Sequence, residues 1–382
     1  MPSLWSDLDF VGARNPAKIG SVRTYIKRAN GNVTKAALDK FGPTIEDVAR
    51  CITSTCPALQ ELRMNGGYLS SSLLRDTRCS ISLRKLYASS QCRMTIDTVS
   101  EIFRECPNLE IVEVHLFSPG ILRLQGQLWK GSLPHLHSLI LRTVSAEVCY
   151  KGIDLTNLLA AIPNVRNLTL ANCSIPHSLA TPQPNFATLH NLESLDISGV
   201  EMSPPLELPS SIHTLNISKS ILASDMVKWE ASRLVRLSMA HNIRVTAGRL
   251  LETLDPNKGN LIYLDTSATQ YEQSMYRWLA EGGYLKKVEE LKFNNCDVDD
   301  GVAIAIAENC SVLKRLSLAN TKISGVGIKA IVTALEGKLE YLNLDGCKNT
   351  AYDAVEWTRS KGVRVAFSFL DRGRGGKKIR EG

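Results

Sequence analysis

Val288-Glu-Glu-Leu291-Lys-Phe293 is answered by Leu313-Lys-Arg-Leu316-Ser-Leu318, and again by Leu339-Glu-Tyr-Leu342-Asn-Leu344. Each stretch has large apolar residues at its first, fourth and sixth positions. Working outward, the same spacing starts at Leu234, Ile212, Leu192, Val165, Leu136, Leu109 and Leu59, with weaker copies at Leu261 and Leu83. Successive starts lie 20 to 29 residues apart. A period in the twenties marks stacked units that bury one shared core, and such arrays usually bind rather than catalyse. It argues for one elongated body in place of the two or three globular domains that 382 residues would otherwise suggest.

Within a unit the alternation reads as a short strand, with leucines inward and the residues between them outward. A turn rich in Asn, Gly or Cys follows, and then an amphipathic segment. In Cys296–Cys310 the apolar residues recur at helical spacing, with Asp299 or Asp300 as the starting cap and Asn309 at the end. Ser324 is placed to cap the next such segment. Strand, crossover and parallel strand repeat with one handedness. The repeats starting at Leu192 and Ile212 are only 20 and 22 residues long, and Pro204, Pro205 and Pro209 lie between them. Proline there forbids a normal helix, so an extended segment and a change of curvature are expected. The stretch 174–191, with Pro176, Pro182 and Pro184, reads as a loop.

The 44% hydrophobic content suffices for a continuous core. Formal charge is +7, part of it in a tail with Arg372, Arg374, Lys377, Lys378 and Arg380 against Asp371 and Glu381. That tail is expected to be disordered, and the body is too weakly basic to point to nucleic acid. No apolar leader or membrane-length apolar run occurs, so a cytoplasmic or nuclear location with reduced thiols is expected. Cys56, Cys106 and Cys310 each stand three residues before a repeat start, and Cys173, Cys296 and Cys347 stand eight after one. Cysteines that follow the repeat register read as small core residues, not as disulfides or metal ligands.

The cysteine-bearing units, clearest over 288–347, resemble the cysteine-containing class of leucine-rich repeats. The resemblance covers roughly 57–369 and implies an α/β leucine-rich-repeat solenoid. Such a horseshoe has one curved parallel sheet on its concave face and helices or extended segments on its convex face. Pro2-Ser-Leu-Trp-Ser-Asp-Leu-Asp-Phe10, with a basic helix starting at Asn15-Pro16, resembles the end of a fungal-type F-box and its linker. Trp5 matches the tryptophan near the end of that box. The expected organisation is therefore 1–45 as F-box remnant, linker and cap, 46–370 as the solenoid, and 371–382 as the basic tail. The family resemblance implies a substrate-recognition subunit of an SCF-type ubiquitin ligase, in which the F-box holds a Skp-type adaptor and the repeats hold a protein. The chain lacks the leading Leu-Pro and two further helices of an F-box, so adaptor binding is expected only if that part is present. A scaffold or regulatory binder unrelated to ubiquitin is the alternative. A GTPase-activating protein is a third, because Leu313–Leu335 resembles the repeats of Ran GTPase activators, although those carry an acidic tail.

No catalytic constellation, cofactor motif or metal cluster stands out. His135 and His137 have no third ligand in view, and Asp297, Asp299 and Asp300 fit capping. Alternation instead sends a row of polar residues onto the concave face. Expected protein contacts there are Arg63, Tyr87, His115, Arg142, Asp196, Arg236, Tyr263, Asp265, Lys292, Arg315, Tyr341 and Asp345. Both charge signs are present, which suits a protein surface better than phosphate backbone, and Tyr263, Tyr341 and Arg315 are the expected anchors.

Overall fold

The architecture was analysed in a computed structural model. It describes residues 6–10, 19–39, 45–75, 77, 79–94, 96–116, 133–143, 155–172, 185–202, 206–222, 227–228, 233–242 and 260–368. The chain forms two compact units, residues 1–212 with 220–230, and residues 213–219 with 231–382.

In the first unit the strands Asp7–Asp9, Lys35–Asp39, Glu61–Asn65, Lys85–Ala88, Ile111–Leu116, Ser138–Thr143, Asn167–Ala171 and Ser194–Asp196 lie side by side, parallel and in chain order. In the second unit the run is Thr214–Asn216, Arg236–Ser238, Tyr263–Asp265, Glu290–Lys292, Arg315–Ser317, Tyr341–Asn343 and Arg364–Ala366. Every repeat start noted in the sequence opens onto one of these strands, the weak copies at Leu83 and Leu261 included. Three further strands, at Asp7, Lys35 and Arg364, carry degraded versions of the pattern. The register is the same throughout the regular part, for Leu291 stands against Leu316 and Leu316 against Leu342, all three with no exposure. A one-residue slip would turn these leucines to water, and burying each contributes roughly 1.5–3 kcal/mol.

A left-handed corner follows most strands. Asn172, Lys219, His241, Ala268, Asn295 and Asn320 have φ of 54 to 59°, and Gly199 and Gly346 occupy the equivalent site. Each lies seven residues after its repeat start, and at all of them but Gly199 the amide is seen to continue the ladder, as His241 N–H does to Ser267 O at 2.7 Å and Asn320 N–H to Asp345 O at 2.7 Å. Asn and Gly recur there because they enter this conformation at least strain. At three of these corners the next side chain turns inward and donates to a carbonyl at the end of the preceding repeat's strand. Ser220 reaches Ile197 O at 2.6 Å, Asn242 reaches Ile217 O at 3.2 Å, and Cys347 reaches Leu318 O at 3.0 Å. The position takes a compact buried side chain, often one with a hydrogen to donate, and cysteine qualifies. The eight cysteines described are all free, and all but Cys51 are buried. Burial pushes the Cys310 and Cys106 thiols up to about 12 and the Cys92 thiol up to about 11, so they pack as neutral groups.

Behind the regular strands run the helices Ile45–Thr55, Ile96–Glu105, Gln273–Glu281, Asp300–Asn309, Gly325–Ala334 and Tyr352–Ser360. Asp299 caps Asp300–Asn309 by accepting from Val302 N–H at 3.1 Å, and Ser324 caps Gly325–Ala334 through Val326 N–H at 3.2 Å. Asp300 reaches across to the next helix instead. Its carboxylate accepts Ser324 N–H at 2.7 Å, Ser324 O–H at 2.5 Å and Gly327 N–H at 3.1 Å. Gly327 is required at that approach, because a Cβ would lie 2.6 Å from the Asp300 oxygen.

The short repeats are backed by extended chain, as the prolines implied. Glu201–Met202 pairs in parallel with Ile221–Leu222, and Leu206–Glu207 with Val227–Lys228. Pro204 and Pro205 fall outside the described residues, as do Trp5, Asn15, Pro16 and the 371–382 tail. At the amino-terminal end, Ile19–Arg28 is helical, and Lys35–Asp39 is a strand that pairs with Glu61–Asn65 along its whole length.

Candidate functional site on the open sheet face

The helices cover one face of each parallel run. On the other face, outward side chains from neighbouring strands line up in rows because the strands share one register. In the second unit one row reads Arg236, Tyr263, Glu290, Arg315, Tyr341 and Arg364 in direct succession. The Arg236 guanidinium lies 4.2 Å from the Tyr263 ring centre, and the Arg315 guanidinium lies 5.3 Å from that of Tyr341. Lys292, one row over, stands 5.1 Å above Tyr263 and donates to its hydroxyl at 3.3 Å. Such stacking contributes about 0.5–1 kcal/mol at exposed sites. It also holds long side chains in place before any partner arrives, which lowers the entropy lost on binding.

Burial raises the Tyr263 phenol above its ordinary value, and Asp265 adds to the rise, so the ring stays neutral. Burial alone would lower the Lys292 ammonium, but Tyr263 and Glu290 hold it above its ordinary value. Glu290 is engaged by Lys292 at 3.2 Å and by Arg315 at 4.0 Å. No carboxylate among the described residues pairs with Arg236 or Arg364, and both are exposed.

The first unit brings together fewer of the expected contacts. Arg63 stacks over Tyr87 at 4.1 Å and donates to Glu61 at 2.6 Å. His115 and Arg142 are register neighbours, and Arg142 is exposed. Asp196 and Asp265 have a task within the fold. Their carboxylates accept the amide two residues on, Ser198 N–H at 3.0 Å and Ser267 N–H at 2.9 Å, closing the turn that leads to the corner. Asn216 and Asn343 do the same for Ser218 and Asp345. The signal was in the sequence as Leu195-Asp-Ile-Ser198, Leu215-Asn-Ile-Ser218 and Leu264-Asp-Thr-Ser267. Asp345 stands next to Asn343 with its own side chain half-buried.

Arg364 belongs to the row but was missed, because its repeat opens on Gly362 where an aliphatic residue would announce it. Of the paired histidines, His135 is exposed and His137 half-buried, and the described residues contain no group of His, Cys, Asp or Glu placed to hold a metal ion. No helix among the described residues is long and apolar enough to cross a membrane.

Strand, left-handed corner, inward capping side chain and helical or extended return define a leucine-rich-repeat architecture of the α/β class. Among solved structures, the chain is similar to one in the crystal structure of the Rad7 and Elc1 complex in yeast. The TM-score is 0.50 at 15% identity, covering 91% of this chain and 77% of that one. No family model matches the sequence, and neither does any curated protein.

Proposed function

We propose that this protein is a non-catalytic receptor that holds another protein against the open face of its parallel sheet. The observation that carries this reading is the row from Arg236 to Arg364. Arginine and tyrosine, the side chains that dominate interface energetics, stand there in register and partly immobilised by mutual stacking. The mixed charge of the face suits a polypeptide. Tyr341→Ala provides the test. Its ring is half-buried on an exposed sheet face, so the melting temperature should stay put while proteins that co-purify with the wild-type chain are lost. Co-purification unchanged by Tyr341→Ala, Arg315→Ala and Tyr87→Ala together would remove the face from consideration.

The finer reading is a substrate receptor of an SCF-type ubiquitin ligase, acting in the cytoplasm or nucleus. It is supported by the resemblance of residues 2–10 to the end of an F-box and of the cysteine-bearing repeats to those common in F-box proteins. A Skp-type adaptor would then join through an F-box completed upstream of Met1. Affinity purification with and without the upstream coding sequence, probed for that adaptor, separates this from a plain scaffold. Adaptor in neither preparation would favour the scaffold.

A further inference from the structure

We infer that the partner segment held by the second unit is an extended acidic peptide whose carboxylates recur every fourth residue. The inference rests on the receptor reading above and gives the chemistry of what is received. Arg236, Arg315 and Arg364 are the cations of one register-aligned row, and Tyr263 and Tyr341 are the rings between them. Two of the three guanidinium groups have no carboxylate partner among the described residues. The third shares Glu290 at 4.0 Å with a closer competitor, Lys292 at 3.2 Å. The row thus presents positive charge with donors unspent, two of its three guanidinium groups held by stacking on tyrosine. A guanidinium fork matches a carboxylate with two parallel hydrogen bonds, and a tyrosine face between forks takes an apolar side chain.

The spacing makes the inference specific. Parallel strands stand about 4.8 Å apart, so three steps put Arg315 about 14 Å from Arg236, and five steps put Arg364 about 24 Å away. An extended peptide laid along the row advances about 3.3 Å per residue and shows alternate side chains to the sheet. Acids at positions i, i+4 and i+8 then share one face and span about 26 Å, within the sideways reach of the arginines. Position i+6 falls about 20 Å along, over Tyr341 at about 19 Å, and i+2 falls next to Tyr263. The recognised pattern is acid, apolar, acid, apolar, acid at alternate residues. A string of consecutive acids would turn half of its charge away.

Fluorescence anisotropy on the full chain tests this directly. The probe is a labelled nine-residue peptide with glutamate at its first, fifth and ninth positions, phenylalanine at its third and seventh, and serine elsewhere. We expect saturable binding that weakens with salt, falls about tenfold or more in Arg236→Gln/Arg364→Gln, and survives Arg63→Gln in the other unit. Arg364→Lys, which keeps the charge and loses the fork, should weaken binding less than Arg364→Gln does, and it guards against a folding defect in the double variant. Equal binding of a peptide of the same composition with its acids at the first, fourth and seventh positions would overturn the spacing. No binding, or binding only when phosphoserine replaces glutamate, would overturn the carboxylate assignment. If the peptide fails while Tyr341→Ala still strips co-purifying proteins, the receptor reading stands and this inference alone falls.

Discussion

The repeats from Val288 to Leu344 and the two that start at Leu192 and Ile212 share a strand and a corner, and differ in everything behind them. Both kinds bury their leucines completely and turn through a residue of positive φ, Asn295 and Asn320 in one, Gly199 and Lys219 in the other. The long repeats return through capped helices that interlock by way of Asp300. The short ones return through two-residue extended pairings. The leucine spacing therefore specifies the sheet, and the number of residues left over specifies the return. Since the outward rows depend only on the sheet, the same open face is kept while its backing varies.

The largest effect is expected where both kinds of repeat are alike, in the buried leucines. Leu291→Asp places an unpaired carboxylate where no water reaches, and the loss should exceed about 4 kcal/mol. Chemical denaturation should show unfolding of the surrounding repeats. A melting temperature within a few degrees of wild type would mean that the shared core is not what holds neighbouring repeats together. Next comes the interlock found only in the long repeats. Asp300→Ala strands three donors on the neighbouring helix and should cost about 2–3 kcal/mol, whereas Asp299→Ala removes one ordinary cap at about 1 kcal/mol. Equal effects from the two would mean that the helices stack without the bridge.

The twelve strong and weak repeat starts could be read because leucine at positions one, four and six is dictated by burial alone. Three strands carry the pattern too weakly to count among those starts, for a common reason. Gly362 and Ala36 stand where a leucine would declare the repeat, and the first strand uses Trp5-x-x-Leu8-x-Phe10, aromatic where the pattern is aliphatic. Register then supplies what the residues do not, since Leu8 pairs with Ala36 and Ala36 with Leu62. The outward residues could be named from alternation, but not their tasks. Asp196 and Asp265 are outward positions by alternation, and each also closes a turn. That second task shows in the amide two residues on, a local pattern independent of the long-range period. Asp300 differs in that its partner, Ser324, is 24 residues away. No local pattern distinguishes it from Asp299.

A smaller effect sharpens the contrast at the capping position. Asn242 belongs to the repeat after the short pair and is wholly buried, with its amide donating to Ile217 O. Asn242→Ala leaves that carbonyl unsatisfied and should cost about 1–3 kcal/mol. Cys347→Ala removes a weaker S–H donor from the same structural position, where Thr321 O–H also reaches Leu318 O at 2.7 Å, so its cost should be lower. Urea titration of the two variants decides the order. If Cys347→Ala proves the more damaging, the thiol is holding its site through packing and not through the hydrogen bond.

The smallest effect concerns alkali. Cys310 stands three residues before a regular repeat, and the short repeats carry Leu189 and Pro209 there. Burial raises the Cys310 thiol from an ordinary 9.0 to about 12. The folded state thus keeps its proton where the unfolded state releases it. Stability from this group is complete below about pH 9 and is lost as pH rises towards about 12. Cys310→Ala lacks that loss, so between about pH 8 and 10.5 its melting temperature should fall less steeply than that of the wild type, although it starts lower through lost packing. Leu189→Ala, at the equivalent site of a short repeat, should lower the melting temperature by a similar mechanism and leave the slope with pH unchanged. Parallel slopes for wild type and Cys310→Ala would mean that the thiol ionises in place, which a side chain with no exposed surface cannot do without local opening.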